Sequence, residues 1–388
     1  MRLKHFTKPQ FLKQIGRPLL QRFFAHFKEL EAARRLPSPD VNNEDYFKAI
    51  IQLALSNEGL PDEVNNTMYE IETLACPEGR ERLEQTMERC RVKLQFQETS
   101  THADIALQVW LAHPEIFRRG CQEFAFGKVS SFHYYGAAAD VSARPPFKDP
   151  DQARLELMQA DLDAWFRQHN RGDQGCRIEV YPLEDEFWFL IHHGDTYARV
   201  VTAEPNRTTK VRHFRPAKDD VIVYSPAANE IRIHARTKGE RDLYREVIGR
   251  RFFGDDRYFD VHKTYTLKPI QEDKADSLRV EPGQGISKIV LRELEWACGG
   301  PHDQVVIAKA TDLFAAWEQS RSACRPGSTA KLVRAMVEVS FQGAEKRPRK
   351  VHIRPPNTLK ISRHCDARLV HAWLTRNGFR ETSPAKKG

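Results

Sequence analysis

Apolar positions recur with a helical period through the first ~125 residues and switch to alternation after about residue 175. In PLLQRFFAHFKEL, Leu20, Phe23, Phe24, Phe27 and Leu30 recur at helical spacing. Gly16-Arg17-Pro18 separates this helix from a shorter one before it, and LPSPD ends it at Pro37. EDYFKAIIQLALSN, VNNTMYEIETLA and GRERLEQTMERCRVKL predict further helices. The last of these carries Leu83, Met87, Cys90 and Leu94 on one stripe. Thr101 is placed to cap ADIALQVWLA, and Pro114 opens another short helix. Connections this short favour antiparallel packing, so a helical bundle is expected over residues 1–128.

Residues 129–150, VSSFHYYGAAADVSARPPFKDP, read as a linker, with Gly136, Pro145, Pro146 and Pro150 and little periodicity after Tyr135. A helix is expected from about Asp151 to Asn170, with Leu155, Met158, Leu162 and Trp165 on one face. The period-2 runs CRIEVYPL, EFWFLIHH, TYARVVTA, DDVIVYSP and NEIRIHA then predict strands, and KGERDLYREVIGRRFFG a helix after them. HKTYTLKPI reads as one more strand. From about Ser287, KIVLRELEW, QVVIAKA, AMVEVSFQ and RKVHIRP read as strands, while TDLFAAWEQS and DARLVHAWLTRNGF read as helices. The expected fold class is therefore α+β multidomain: an N-terminal helical bundle followed by mixed, mainly antiparallel α+β modules, at 151–285 and 286–388.

Composition narrows the functions. With 388 residues, several domains are expected. No uncharged apolar run is long enough to span a bilayer, and MRLKHFTKPQ does not resemble a secretory leader, so a cytoplasmic, bacterial-type protein without membrane contact is expected. The 7 cysteines include no C-x-x-C pair, which argues against a disulfide framework or a zinc ribbon and for buried, reduced thiols. The net charge of +8 is uneven. Residues 341–388 carry 12 Lys and Arg against 3 Asp and Glu, whereas the preceding 340 residues carry 49 against 50. A basic end on a near-neutral body points to an acidic partner, with duplex DNA the favoured one.

Three stretches carry candidate chemistry. In EFWFLIHHGDTYARV, His192, His193 and Asp195 could bind a metal or move a proton. Strand-like runs flank Gly194-Asp195, however, and that pair suits a tight hairpin turn joining Phe187–Ile191 to Tyr197–Val201. His192 and His193 would then point to opposite faces of one strand, unable to share a metal. In KDDVIVYSPAANEIRI, Asp220 starts one strand, and Glu230 and Arg232 share a face of the next. This resembles the restriction-type nucleases, in which an Asp and a Glu-x-Lys on adjacent strands hold Mg²⁺ and orient water. Arg232 stands where that pattern has lysine, and arginine cannot deprotonate. Mg²⁺ is expected only on this alternative, and no cofactor otherwise. EPGQGISK has Gly283-x-Gly285, but the strand-like run after it favours a turn over a phosphate loop.

The third stretch is the basic end, EKRPRKVHIRPPNTLKISRHCDARLVHAWLTRNGFR. Lys346, Arg347, Arg349 and Lys350 gather in an expected hairpin loop, and Arg354, Lys360 and Arg363 follow. A basic β-loop beside an amphipathic helix resembles the layout of winged-helix DNA binders. Cations at this density can hold phosphates without reading bases. The primary expectation is a non-enzymatic protein that binds nucleic acid or a partner through these seven residues, with the helical bundle docking another protein. The alternatives are a metal-dependent nuclease around Asp220, Glu230 and Arg232, and an adaptor or sensor subunit of a multi-protein, defence-type complex.

Overall fold

The fold is described from a computed structural model, covering residues 9–32, 36–38, 40–55, 60–138, 146–173, 175–183, 185–204, 207–260, 264–299, 301–302, 304–319, 324–327, 330–343, 348–361 and 367–381. The chain divides into two compact units, Met1–Lys128 and Val129–Gly388.

The first unit contains α1 (Pro9–Leu12), α2 (Arg17–Ala25), α3 (Lys28–Ala32), α4 (Asn43–Leu55), α5 (Asp62–Leu74), α6 (Pro77–Arg89), α7 (His102–Ala112) and α8 (Pro114–Lys128). Thr101 caps α7 with a reciprocal box: its hydroxyl accepts from the Asp104 amide, and the Asp104 carboxylate accepts from the Thr101 amide. The expected apolar stripe is the core, with Leu20, Phe23, Phe24, Ile50, Met68, Leu83, Leu107 and Phe117 all buried. Inside it, the carboxylate of fully buried Glu123 is met by Arg89, Arg119 (3.1 Å) and the Thr86 hydroxyl (2.9 Å).

The second unit is built on β1 (Ser131–Ala137), α9 (Gln152–Gln168), β2 (Arg177–Leu183), β3 (Glu186–Gly194), β4 (Ala198–Glu204), β5 (Thr208–Phe214), β6 (Ala217–Ser225), β7 (Glu230–His234), α10 (Lys238–Ile248), β8 (Phe259–Asp260), α11 (Lys268–Glu272), β9 (Ile286–Ala297), β10 (Val305–Lys309), α12 (Leu313–Gln319), β11 (Lys331–Phe341), β12 (Arg349–Arg354), β13 (Thr358–Lys360) and α13 (Ala367–Arg376). A π-helical turn, Gly249–Phe253, extends α10. Eleven strands form one antiparallel sheet in the order β10-β9-β11-β12-β13-β1-β7-β6-β3-β2, with β8 paired to β1. The mixed α+β, mainly antiparallel reading therefore holds. Among the described residues, no helix is long and apolar enough to cross a membrane.

Three expectations give way to this sheet. Part of the segment read as a linker is β1, which joins β13 to β7 in mid-sheet because Phe132, Tyr134 and Tyr135 are buried there. The strands of 151–285 and 286–388 consequently share one sheet, and β12 and β13 do not form a separate winged-helix-like module. The described part of HKTYTLKPI, from Thr264 on, is no ladder strand: Tyr265 makes a single bridge to Arg380, and Lys268 already starts α11.

Helices α9 and α10 cover one face of the β2–β3–β6–β7–β1 region. Met158, Leu162 and Phe166 of α9, and Tyr244, Val247 and Ile248 of α10, pack on Phe189, Ile191, Ile222, Ile231 and Ile233. Phe166, rather than the expected Trp165, is the buried aromatic of α9. The described cysteines are all free thiols; four are half-buried, and Cys298 and Cys324 are exposed, against the expectation of burial.

Candidate functional site

The HHGD stretch is not a hairpin turn. β3 continues through His193 and Gly194 while paired on one side with β2 and on the other with β6, where His193 faces Lys218 and Gly194 faces Ala217. Tyr197–Val201 does not fold back on Phe187–Ile191. Among the described residues β4 pairs with β5 alone, in a two-stranded sheet. The strand alternation does put the two histidines on opposite faces: His193 is buried, and half-buried His192 bonds Asp219 at 2.6 Å.

His193 enters a buried ionic cluster that the sequence reading missed. On β6, Lys218 and Asp220 face the same side as His193. Tyr244 and Glu240 reach the same point from α10. His193 Nε2 lies 3.0 Å from Asp220 Oδ2, and its Nδ1 lies 2.9 Å from the Gly194 carbonyl. Both ring nitrogens thus lie at hydrogen-bond distance from an oxygen. The Tyr244 hydroxyl donates to Asp220 at 2.8 Å. Lys218 Nζ bridges Asp220 Oδ1 (3.1 Å) and Glu240 Oε2 (3.0 Å). Arg171 reaches Glu240 at 3.4 Å and also pairs with Asp195. The Phe166 ring stacks on His193 with centroids 4.2 Å apart.

The charges here are compensated. Burial works against the Asp220 anion, yet the hydrogen bond from His193, the Lys218 charge and the Tyr244 hydroxyl outweigh it and hold the carboxyl below its ordinary range. Burial, with the Asp220 charge next, holds the Tyr244 phenol far above its ordinary value, so it stays a donor. His193, Asp220 and Glu240 place three ligand atoms within 4.8 Å of one another, the spacing of a metal site. The Lys218 ammonium, bonded to both carboxylates, already supplies the cation that such a site would take. The side chains of His193, Asp220 and Glu240 are at most 1% exposed. The arrangement pins β3 and β6 to α10. Thr237 and Glu240 also form a capping box, which is why α10 starts where it does. The Thr-x-x-Glu spacing was visible in the sequence; its meeting with His193 was not.

Glu230 and Arg232 do share a face, as the alternation requires, but that face is opposite to the one carrying Asp220. Ser225 pairs with Glu230, and Asp220 lies five residues away along β6, about 17 Å of strand. Glu230 bonds Arg380 at 2.8 Å, and buried Arg232 pairs with Glu186. The two carboxylates of the nuclease-like trio are not brought together around one ion.

The basic residues divide. Lys346, Arg347 and Arg363 lie outside the described residues. Arg349 projects with Val351 and Ile353, whose side chains are buried on that side of β12. Lys350 and Arg354 of β12 alternate out to the other face, where Lys360 of β13 stands opposite His352. All three are exposed, and none is in an ion pair among the described residues. Two histidines, His133 and His352, stand on the same face. His133, opposite Thr358, is held down to about 4 by burial and then by the charges of Arg241 and Arg354. His352 is lowered by burial and by Lys360 and Arg334. Neither histidine was singled out in the sequence, because strand alternation alone does not say which cations converge.

No protein-family model and no curated protein matches this chain.

Proposed function

We propose that this protein binds nucleic acid, duplex DNA foremost, through the exposed face of β12 and β13. The observation that supports this reading is the grouping of Lys350, Arg354 and Lys360 on one open strand face, unpaired among the described residues. Clustered, exposed cations attract phosphate oxygens. Cations on a strand face hold the backbone without reading base edges, so the binding is weakly dependent on sequence.

A salt titration of duplex binding tests this. Lys350→Ala/Lys360→Ala removes two phosphate contacts and flattens the slope of log K against log salt by about 2. The loss should be similar for unrelated sequences. An unchanged slope and affinity would mean that the face is only solvated surface.

A further inference from the structure

The segment between β3 and β6 is the feature that neither the core nor the basic sheet face uses. The β3–β6 ladder ends at Gly194–Ala217, and the β4–β5 ladder begins at Ala198–Phe214. Three residues, Asp195 to Tyr197, therefore oppose two, Arg215 and Pro216. That is a one-residue bulge, which bends and twists a hairpin without ending it. The Asp195 amide donates to the Pro216 carbonyl at 2.7 Å, so the two strands stay together across the bend. β4 and β5 are thus the outer arm of one long hairpin, projecting seven residues per strand, about 23 Å.

The base of this arm is clamped. The Arg215 guanidinium donates to the carbonyls of Asn170 and Asp195 and lies over the Tyr197 ring. Asp195 is held in turn by Arg171, which also bonds Glu240 of the buried cluster. The arm itself is bare. All seven residues of β5 are exposed, and Val200, Val201, Val211 and Phe214 are each more than 40% exposed. Those apolar groups lie on both faces: the register puts Val200 and Phe214 on one and Val201 and Val211 on the other. An uncovered two-stranded ribbon of this kind is marginal in water, so a ligand that covers both faces at once suits it.

We propose that the β4–β5 ribbon enters a groove of a nucleic-acid duplex. Tyr197–Phe214 carries four Lys and Arg residues and one acidic residue, Glu204. Arg199 stands on one face, Lys210 on the other and Arg207 near the tip, all exposed and in no ion pair among the described residues. A ribbon with its side chains is a slab about 10 Å thick, and the major groove of B-DNA is about 12 Å wide and admits such a ribbon. Cations on opposite faces then meet the phosphates of opposite groove walls. A second copy would set two positively charged ribbons against each other. The site shares its ligand class with the β12–β13 face but none of its residues.

The test is fluorescence anisotropy of the full-length protein with a labelled duplex DNA and with one of its single strands, across a salt series. The variants are Arg199→Ala/Lys210→Ala, the charge-reversed Arg199→Glu/Lys210→Glu, and Lys350→Ala/Lys360→Ala. The first should flatten the duplex salt slope by about 2, the second should weaken duplex binding further, and the thermal midpoint of both should match wild type. Binding to the single strand should change less. If both ribbon variants bind duplex like wild type, the ribbon proposal is overturned. Loss confined to the β12–β13 variant would also overturn it and leave the sheet-face reading standing. Loss confined to the ribbon variants would uphold it and overturn that reading. Absence of duplex binding by wild type at low salt would overturn both. Sedimentation of wild-type dimers that Arg199→Glu/Lys210→Glu dissolves, with duplex binding unchanged, would assign the ribbon to self-association instead.

Discussion

His193 and Asp220 sit on neighbouring strands with Nε2 and Oδ2 3.0 Å apart, and neither side chain exposes more than 1% of its surface. The pair joins two strands to a helix through charge. Its energetic weight follows from what each group would face alone. Without Asp220, the Lys218 ammonium loses one of its two carboxylates, and the Tyr244 hydroxyl and His193 Nε2 lose their acceptor.

Asp220→Ala should therefore lower the unfolding free energy by about 3–5 kcal/mol, the usual cost of breaking a buried ion pair from one side. Urea denaturation of the two proteins measures it. A loss within the scatter of surface substitutions would show that the cluster contributes little.

The pH dependence has a defined sign. Asp220 is held below its ordinary value in the folded protein, so its contribution is complete above the unfolded-state pKa of about 3.9 and is lost as pH falls toward the lower folded value. Thermal midpoints of wild type should drop steeply below about pH 4, where Asp220→Asn, which has no charge to lose, should show a shallower drop.

Lys218 occupies the cation position between Asp220 and Glu240. Removing it in Lys218→Ala should leave His193, Asp220 and Glu240 open to Zn²⁺, which accepts imidazole nitrogen and carboxylate oxygen. Zn²⁺ should raise the thermal midpoint of the variant and not that of wild type. Equal shifts in both proteins would place the ion elsewhere.

Gly194 is required by close approach. A Cβ there would lie 2.2 Å from the Arg171 carbonyl oxygen and 2.4 Å from Arg215 Cδ. The carbonyl belongs to the backbone and cannot swing aside, so Gly194→Ala should destabilise by about 1–3 kcal/mol. It should also loosen the base of the β4–β5 ribbon, seen as faster amide exchange at Asp195, whose amide bonds Pro216. Wild-type exchange there would mean that the clamp does not depend on the glycine.

The local grammar of the chain was legible in the sequence. The alternation in CRIEVYPL and the short apolar run in EFWFLIHH determined strands, the helical stripe from Leu20 to Leu30 determined a buried face, and Thr101 determined where α7 starts. These depend on residues within a few positions of one another, where backbone sterics, capping and side-chain period act. The partners of each strand did not follow from that grammar. Gly194-Asp195 suits a turn, yet β3 runs on, because its apolar residues on both faces are buried when β2 and β6 flank it and α9 and α10 cover Phe189 and Ile191. β1 reads as a linker until β7 and β13 bury Phe132 and Tyr134. Tertiary pairing also decided the chemistry. It took Asp220 away from Glu230, 10 positions on in the sequence, and gave it to His193, Tyr244 and Lys218. A carboxylate that must leave water is stabilised by whichever donors the fold brings to it, and those donors are set by sheet order and helix placement rather than by proximity along the chain.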